Sequence, residues 1–270
     1  MRITRSAQAL RALLEPVVIA RAVIKRFRIG SFDFRLAFDA FERPAYAYGA
    51  YYAADLAQRL KLDEISIIEF GVGVGNGLFE LEVIAREVSR SRRITLHVFG
   101  FDSGQGLPEE TDYRDLPYVW RRGGYRMDVN AVRSRLSAAK LIIGDVAETV
   151  PDFVKSSVGA PIGFISFDLD YYSSTLAAFE VFRGGHDLYL PRVLCYFDNI
   201  SSDGHFHHSE EGGELLAVRE FNEKWQHEKI RAEHNLSDMR PFRSNWASKM
   251  YVYHRFHHPH YNTYIGRASR

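Results

Sequence analysis

Four polar residues follow two apolar runs in the second half of the chain. Asp168 and Asp170 stand in the stretch FDLDYYSST, and Asp198 and Asn199 stand in YFDNI. Asp is depleted in strand interiors and costly to bury, so these side chains are expected at a rim rather than in the core. Carboxylates that share a rim repel one another unless a cation lies among them or one is protonated. Oxygen ligands of this kind suit Mg²⁺, which keeps water sites open for substrate oxygens.

Such a cluster has a chemical use. A metal ion that holds a hydroxyl lowers the pKa of that hydroxyl, and a nearby carboxylate can then take its proton. On this interpretation one of Asp168 and Asp170 binds the ion, and the other acts as a general base. The alternative for Asp170 is that it only caps the helix predicted to begin near Ser174.

A second group of residues surrounds a glycine-rich loop. The stretch IIEFGVGVGNG places Gly71, Gly73 and Gly75 directly after an apolar run, with Glu69 just before the turn. Glycines permit a tight strand-to-helix turn and let a ligand approach the backbone amides closely. The spacing is G-x-G-x-G, whereas dinucleotide-binding loops follow G-x-G-x-x-G. Glu69 would repel a pyrophosphate, but it suits a ligand that carries an ammonium or sulfonium group.

Two further acids end the next two predicted strands. Asp102 has two oxygens that could accept both hydroxyls of a ribose, and Asp145 stands where an adenine amino group could donate to it. Helix capping or turn formation is the alternative for both. Together with the glycine loop, these acids indicate a site for a nucleoside with a positive charge nearby. S-adenosylmethionine fits that description better than NAD, and an NAD(P)-dependent oxidoreductase is the alternative enzyme.

At these residues the sequence resembles the class I S-adenosylmethionine-dependent methyltransferases. Within that class it is similar to the macrocin O-methyltransferase family, which methylates sugar hydroxyls of macrolide and aminocoumarin antibiotics. Four segments carry the resemblance, EFGVGVGNG, GFDSGQGLPE, FDLDYYSST and YFDNI, and AVREF is a weaker fifth. The resemblance implies transfer of a methyl group from S-adenosylmethionine to a hydroxyl of a small molecule, on a sugar or polyol, with Mg²⁺ assistance.

The resemblance also implies roles for individual residues. Asp168, Asp198 and Asn199 are expected to hold the Mg²⁺ ion, and Asp170 is expected to be the general base. Ser103, in the matching GFDSGQGLPE, joins the expected cofactor-binding residues, which are Glu69, Gly71, Gly73, Gly75, Asp102 and Asp145. Asn199 stands where the family has an acid, and Leu169 replaces a glycine between the two acids. Both differences from the family pattern lie at or beside the residues expected to hold the metal ion.

These residues need a sheet whose strands end along one edge. Short apolar runs alternate with helical segments, and the predicted strands are ISIIEF, ITLHVFGFD, KLIIGD, PIGFISFDLD, RVLCYFDN and KMYVYHRF. This alternation predicts an α/β fold with a doubly wound, mostly parallel sheet, in which ligands bind beyond the carboxyl ends of the strands. The resemblance implies seven strands in the Rossmann-like methyltransferase arrangement. GGELLAVREFNEKWQHEKI predicts one continuous helix.

Other segments are predicted to border the site. PYVWRRGG and GYRMDVN are expected to form part of a lid over the acceptor. HFHH, residues 205–208, is interpreted as a loop that lines the acceptor pocket, with a transition-metal site as the alternative. Within AYAYGAYY, Tyr46 and Tyr48 are candidates to cover the methionine end of the cofactor, and the other aromatic residues are expected in the core.

Length and composition fit one large soluble domain. The chain has 270 residues, 46% hydrophobic and 26% charged, with a formal charge of +1, so nothing points to a nucleic-acid partner. The lone Cys195 excludes an internal disulfide and Cys-rich zinc sites, which fits the cytoplasm. We expect a helical N-terminal extension over residues 1–45 and a methyltransferase domain over 46–270.

The first 30 residues interleave Arg and Lys with apolar residues at helical spacing. A helix that packs on its own domain, or on another subunit of a homo-oligomer, is the preferred interpretation. A helix lying on a membrane surface is the alternative, and it would suit a non-catalytic membrane-docking module.

Overall fold

The computed structural model describes residues 16–156, 159–202, 205–240 and 244–266. Its centre is a seven-stranded sheet in the order β3-β2-β1-β4-β5-β7-β6. The strands are β1 (Glu64–Phe70), β2 (Thr95–Asp102), β3 (Lys140–Ile143), β4 (Ile162–Phe167), β5 (Tyr189–Phe197), β6 (Glu228–Ala232) and β7 (Met250–Arg255). The pairs among β1 to β5 are parallel, and β7 runs antiparallel to both β5 and β6. The predicted fold class, a mostly parallel α/β sheet, is confirmed.

Helices cover both faces of this sheet. They are α1 (Pro16–Phe27), α2 (Phe32–Ala37), α3 (Pro44–Arg59), α4 (Asn76–Arg92), α5 (Val129–Arg135), α6 (Val146–Lys155), α7 (Tyr172–Ala178) and α8 (Gly213–Lys224). Successive strand residues point to opposite faces. Accordingly, Ile67 packs in one buried cluster with α3 and α4, and Ile68 packs in another with α6, α7 and α8. Because both faces are covered, β4 is buried along its whole length, as its mostly apolar sequence, interrupted only by Ser166, predicts.

The predicted helix over GGELLAVREFNEKWQHEKI is wrong in its last third. Helix α8 ends at Lys224, and the chain then forms the edge strand β6. The side chain of Asn222 fixes this reversal, because its amide donates to the carbonyl oxygen of Ile230 and accepts from the Ile230 N–H, both at 2.8 Å. Ile230 is the one buried residue of β6. The sequence of β6 has little intrinsic preference for a strand, and it forms one because its backbone pairs with β7.

The N-terminal segment packs on the domain from residue 32 onward. Phe32, Leu36 and Phe41 belong to the same buried cluster as α3. Helix α1 buries only Ile24, and Lys25 forms an ion pair with Glu42 at 2.6 Å. Residues 1–15 of the predicted extension lie outside the described residues, and the boundary between 45 and 46 stays a prediction. Within the described part of the chain, no helix combines the length and the apolar character needed to cross a membrane.

Candidate active site

The carboxyl ends of the four central strands β2, β1, β4 and β5 are joined by backbone hydrogen bonds just past the sheet. The N–H of Gly71 donates to the carbonyl of Phe101 at 2.9 Å, and the N–H of Asp168 donates to the carbonyl of Phe70 at 3.0 Å. The N–H of Asp198 donates to the carbonyl of Phe167 at 2.9 Å. The glycine loop and the two acidic segments therefore begin at the same edge of the sheet.

The glycine loop uses the backbone freedom of its glycines. Gly71, Gly73 and Gly75 have φ values of +82°, +52° and +88°, a region that residues with side chains rarely adopt. A Cβ atom on Gly71 would also lie 1.8 Å from the carbonyl oxygen of Asp168. The end of β4 thus packs directly against the loop, and only glycine fits there.

Asp102 fastens this loop to the end of β2. One oxygen of its carboxylate accepts a hydrogen bond from the N–H of Gly73 at 2.8 Å, and the other accepts from Gly104 at 2.6 Å. A carboxylate has about four acceptor positions, so both oxygens keep capacity for hydroxyl donors. The hydroxyl of Ser103 is used in a local turn, donating to the carbonyl of Gly106 at 3.2 Å and accepting from the N–H of Gln105.

Asp145 adopts the alternative role that the sequence left open. It is exposed at the start of α6, and its side chain accepts a hydrogen bond from the N–H of Ala147 at 2.8 Å. This is the geometry of a helix N-cap. A contact between Asp145 and an adenine stays a prediction.

Glu69 is almost completely buried, with 1% of its surface exposed. The hydroxyl of Tyr46 donates to its Oε1 at 2.7 Å, and the hydroxyl of Ser166 donates to that of Tyr46 at 3.0 Å. Its Oε2 has no hydrogen-bond partner among the described residues. Burial raises the pKa of Glu69 to about 8, although the Tyr46 hydrogen bond and Arg43 oppose the shift. An unpartnered buried carboxylate oxygen is what a cationic ligand group would satisfy.

Arg43 is a functional candidate that the sequence reading missed. It precedes α3, and its guanidinium lies 5.1 Å from the ring centre of Tyr46. Burial works against its charge, yet Tyr46, Glu69 and Asp168 hold its pKa above the usual value. The only signal in the sequence was a basic residue beside the aromatic stretch AYAYGAYY. Tyr48, by contrast, packs against Trp246 and Tyr52, with ring centres 5.2 and 4.5 Å away.

The residues predicted as metal ligands lie together at the ends of β4 and β5. The side-chain amide of Asn199 contacts Oδ1 of Asp168 at 3.2 Å. Burial and the neighbouring Asp198 raise the pKa of Asp168 to about 6. The hydroxyl of Tyr196 donates to Asp198 at 2.7 Å, and the ammonium of Lys249 lies 3.5 Å from the same oxygen.

Lys249 was also missed, because its position depends on the antiparallel strand. Strand β7 pairs with β5 so that Met250 lies opposite Tyr196, which brings Lys249 to the acidic edge. Its ammonium donates to the backbone carbonyl of Asp198 as well. This charge offsets part of the repulsion among the carboxylates.

Asp170 has the features of a poised base. Only 6% of its surface is exposed, and it adopts φ +62°, which is uncommon for a residue other than glycine. Among the described residues, no hydrogen bond and no cation acts on its carboxylate. Burial, then Asp168 and Asp198, raise its pKa to about 7.

Two loops border this acidic edge. The backbone of Leu107 pairs with Gly123 and Gly124 at 2.8 and 2.9 Å, which holds the predicted lid segment beside the glycine loop. Tyr125, in this segment, lies with its Cβ 4.0 Å from the Cβ position of Gly73, and partial burial and then Asp170, Asp168 and Asp198 raise the pKa of its hydroxyl. Trp120 lies between Tyr125 and Phe206, with ring centres 6.4 and 6.5 Å away.

The HFHH segment joins the lid rather than a metal centre. The hydroxyl of Tyr118 donates to the carbonyl of His207 at 3.1 Å, and the N–H of His208 donates to Ser202 at 3.0 Å. In the ranges that the structure describes, no three His, Cys, Asp or Glu side chains converge as a metal site. The alternative of a transition-metal site at HFHH therefore has no geometric support.

Comparisons with known proteins identify the fold. No family model matches the chain, and no curated protein matches it. Among solved structures, CalS11, a calicheamicin methyltransferase, is 19% identical, with 95% of each chain covered and a TM-score of 0.53. The O-methyltransferase NovP is 14% identical, with 78% of this chain and 80% of that chain covered and a TM-score of 0.53. The chain therefore has the fold of the class I methyltransferases, as the resemblance implied.

Proposed function

We propose that this protein transfers a methyl group from S-adenosylmethionine to a hydroxyl of a small molecule, on a sugar or polyol. The observation that carries the proposal is that two buried carboxylates lie at one edge of the sheet: Glu69, whose Oε2 has no hydrogen-bond partner among the described residues, and Asp170. Glu69 is the penultimate residue of β1, just before the glycine loop, and Asp170 follows the neighbouring strand β4. Glu69 suits the cationic part of a cofactor, and Asp170 suits the uptake of a proton from the acceptor hydroxyl.

The cofactor side of the proposal rests on the glycine loop and the two acids beside it. Gly71 and Gly73 carry no side chains, so a ligand can approach the backbone of this loop closely, and Asp102 holds the loop with lone pairs left for ribose hydroxyls. The amino group of S-adenosylmethionine would satisfy Oε2 of Glu69. The rival NAD(P)-dependent oxidoreductase would instead place a pyrophosphate near this buried acid, where like charges repel.

The acceptor side rests on Asp170 and the lid. In methyl transfer the chain has to align the hydroxyl with the methyl carbon and take up one proton. The free carboxylate of Asp170 would accept that proton, and Tyr125 would border the acceptor. NovP is described as an O-methyltransferase, which supports a hydroxyl acceptor here.

A Mg²⁺ ion is proposed at the ends of β4 and β5, where two carboxylates and one amide would hold it. Among the described residues, no three acidic or imidazole side chains converge, so the proposed set includes an amide. Asp168 and Asp198 offer carboxylate oxygens, and the side-chain nitrogen of Asn199 donates a hydrogen bond to Oδ1 of Asp168 at 3.2 Å, which leaves the amide oxygen of Asn199 as the candidate third ligand. When bound, such an ion would lower the pKa of the acceptor hydroxyl. Lys249 lies beside Asp198 and holds that carboxylate in place.

Isothermal titration with S-adenosylhomocysteine tests the cofactor assignment. We expect saturable heat for the natural chain and none with NAD⁺, and an absence of heat with S-adenosylhomocysteine would contradict the proposal. Transfer of labelled methyl to a panel of glycosides, nucleotide sugars and polyols then tests the acceptor class. The panel is repeated in excess EDTA, and undiminished transfer there would remove the role of Mg²⁺ alone.

A further inference from the structure

Two acidic strand ends lie side by side: residues 168–170 after β4 and residues 198–199 after β5. Glu214 contacts both of them and belongs to neither. It is the second residue of α8, and 0% of its surface is exposed. Its Oε2 accepts a hydrogen bond from the N–H of Asn199 at 2.9 Å, and its Oε1 lies 3.5 Å from the backbone nitrogen of Leu169. A single carboxylate therefore reaches the residue after Asp198 and the residue between Asp168 and Asp170.

The surroundings of Glu214 make its charge costly. Burial, and then Asp168 and Asp170, raise its pKa well above the usual value. A buried carboxylate near two others destabilises a fold unless specific hydrogen bonds compensate for it. Both hydrogen bonds that Glu214 makes go to the acidic strand ends, and neither goes to its own helix.

The start of α8 is shaped to deliver this side chain. Gly213 has φ +60°, and a Cβ atom there would meet Leu116 at 3.1 Å and the carbonyl oxygen of Asp170 at 3.9 Å. The turn before Glu214 thus lies close to the backbone of Asp170. The N–H of Asp198 donates to the carbonyl of Phe167, which joins the backbones of β4 and β5 at their carboxyl ends. Beyond that hydrogen bond, the carboxylate of Glu214 connects the two segments that follow these strands.

We propose that Glu214 is a positioning residue, a clamp whose carboxylate fixes the distance between the two acidic strand ends. This inference rests on the proposed function, because it assigns Glu214 a role in the geometry of that site. The clamp keeps Asn199 in contact with Asp168 and sets the direction of Asp170. The residue itself contacts neither cofactor nor acceptor, and it acts through the backbone amides of Leu169 and Asn199.

The test compares Glu214→Gln with a matched variant of the same helix, Glu220→Gln. Glutamine has nearly the same shape as glutamate, but its NH₂ group cannot accept a hydrogen bond, so one amide loses its partner. Glu220 accepts from the hydroxyl of Tyr172 at 2.7 Å and touches neither acidic strand end. Glu214→Asp is the second variant, because it keeps the charge but is too short to reach both amides.

Hydrogen exchange of the Leu169 and Asn199 amides is the first measurement. We expect exchange at one or both to accelerate about tenfold or more in Glu214→Gln and Glu214→Asp, as expected when a net hydrogen bond is lost. Exchange elsewhere, and the affinity for S-adenosylhomocysteine, should match the natural chain. The thermal midpoint of Glu214→Gln should change little, because glutamine keeps the shape of glutamate and one of its two hydrogen bonds.

Binding of Mn²⁺ alone, measured by its electron paramagnetic resonance signal, is the second measurement. Residues that orient metal ligands typically contribute about 10- to 100-fold to metal affinity, and we expect a loss of that size for Glu214→Gln but not for Glu220→Gln. Methyl transfer should fall through kcat with little change in the KM for S-adenosylmethionine.

The outcomes separate this inference from the proposed function. Unchanged exchange at both amides in Glu214→Gln would overturn the clamp, and so would accelerated exchange spread over the whole domain. A natural chain that binds no S-adenosylhomocysteine would contradict the proposed function, and one that binds no Mn²⁺ would contradict the metal assignment. In both of those cases the exchange comparison still decides whether Glu214 holds the strand ends.

Discussion

The carboxylate of Asp102 accepts a hydrogen bond from the backbone N–H of Gly73 at 2.8 Å. This contact joins the end of β2 to the loop that follows β1. Asp102 therefore shapes the proposed cofactor loop in addition to offering its remaining lone pairs to a ribose. One side chain can thus affect cofactor affinity in two ways.

Asp102→Ala is expected to weaken S-adenosylhomocysteine binding by about 10- to 100-fold, since hydrogen bonds to a charged group contribute about 1.5–3 kcal/mol. Isothermal titration measures this directly. Asp128→Ala is the matched control, because Asp128 caps α5 by accepting from the N–H of Ala131 at 3.0 Å and is not among the predicted cofactor-binding residues. The control should lose about 1 kcal/mol of stability and keep its affinity. Equal losses of affinity in both variants would contradict the distinction between the two acids.

Gly71→Ala should abolish tight cofactor binding. Its Cβ atom would overlap the carbonyl of Asp168, so the loop or the end of β4 has to move. Gly123→Ala is the control, because Gly123 also has positive φ, at +75°, but has nothing within 4 Å of its Cβ position. The control carries the conformational cost of about 1–2 kcal/mol without the clash. Titration with S-adenosylhomocysteine and thermal unfolding of both variants check this, and indistinguishable variants would contradict the proposed packing.

The stability of the ligand-free protein should fall as pH rises through the range set by Glu69. The pKa of Glu69 is about 8 in the folded protein against an ordinary value of 4.5, so between these values the folded state binds more protons than the unfolded state. Stability therefore decreases with rising pH in that window, by about 1.4 kcal/mol for each unit of pKa difference at most. Urea unfolding at several pH values measures the slope.

Glu69→Gln should remove that part of the slope. Glu64→Gln serves as its control, because Glu64 is exposed at the other end of β1 and pairs with His97 at 2.9 Å. The control should keep the slope of the natural chain. If Glu69→Gln shows the same slope too, the buried carboxylate does not titrate in this range.

Asp170→Asn should reduce methyl transfer by about 10²- to 10⁴-fold, the usual contribution of a general base. Asparagine tolerates the positive φ at this position, so the substitution removes the base with little backbone strain. The affinity for S-adenosylhomocysteine should stay unchanged. Single-turnover transfer of labelled methyl to the best acceptor of the panel is the measurement, and a variant as fast as the natural chain would exclude Asp170 as the base.

Much of the fold, and of the sheet edge proposed to bind the cofactor, could be predicted from the sequence. Apolar runs such as IGFISF encode strands buried on both faces, because their residue types leave no polar side for solvent. The glycines after β1 encode a turn that only glycine can make, and Asp102 and Asp168 follow strands whose ends meet at one edge. The glycine turn and the acids at the strand ends are each encoded by a short stretch of sequence. Parallel pairing of the strands then brings these stretches together at one edge of the sheet.

The sequence by itself left other parts of the site undetermined. The sequence pattern could not show that Asp145 caps a helix, because this role depends on the position of the Ala147 amide. Lys249 reaches Asp198 because β7 is inserted antiparallel beside β5, and Glu214 reaches Leu169 and Asn199 because α8 begins against the backbone of Asp170. Contacts between side chains far apart in the chain depend on how helices and strands pack against one another. Residue periodicity predicts the helices and strands but not this packing, so it could not predict these contacts.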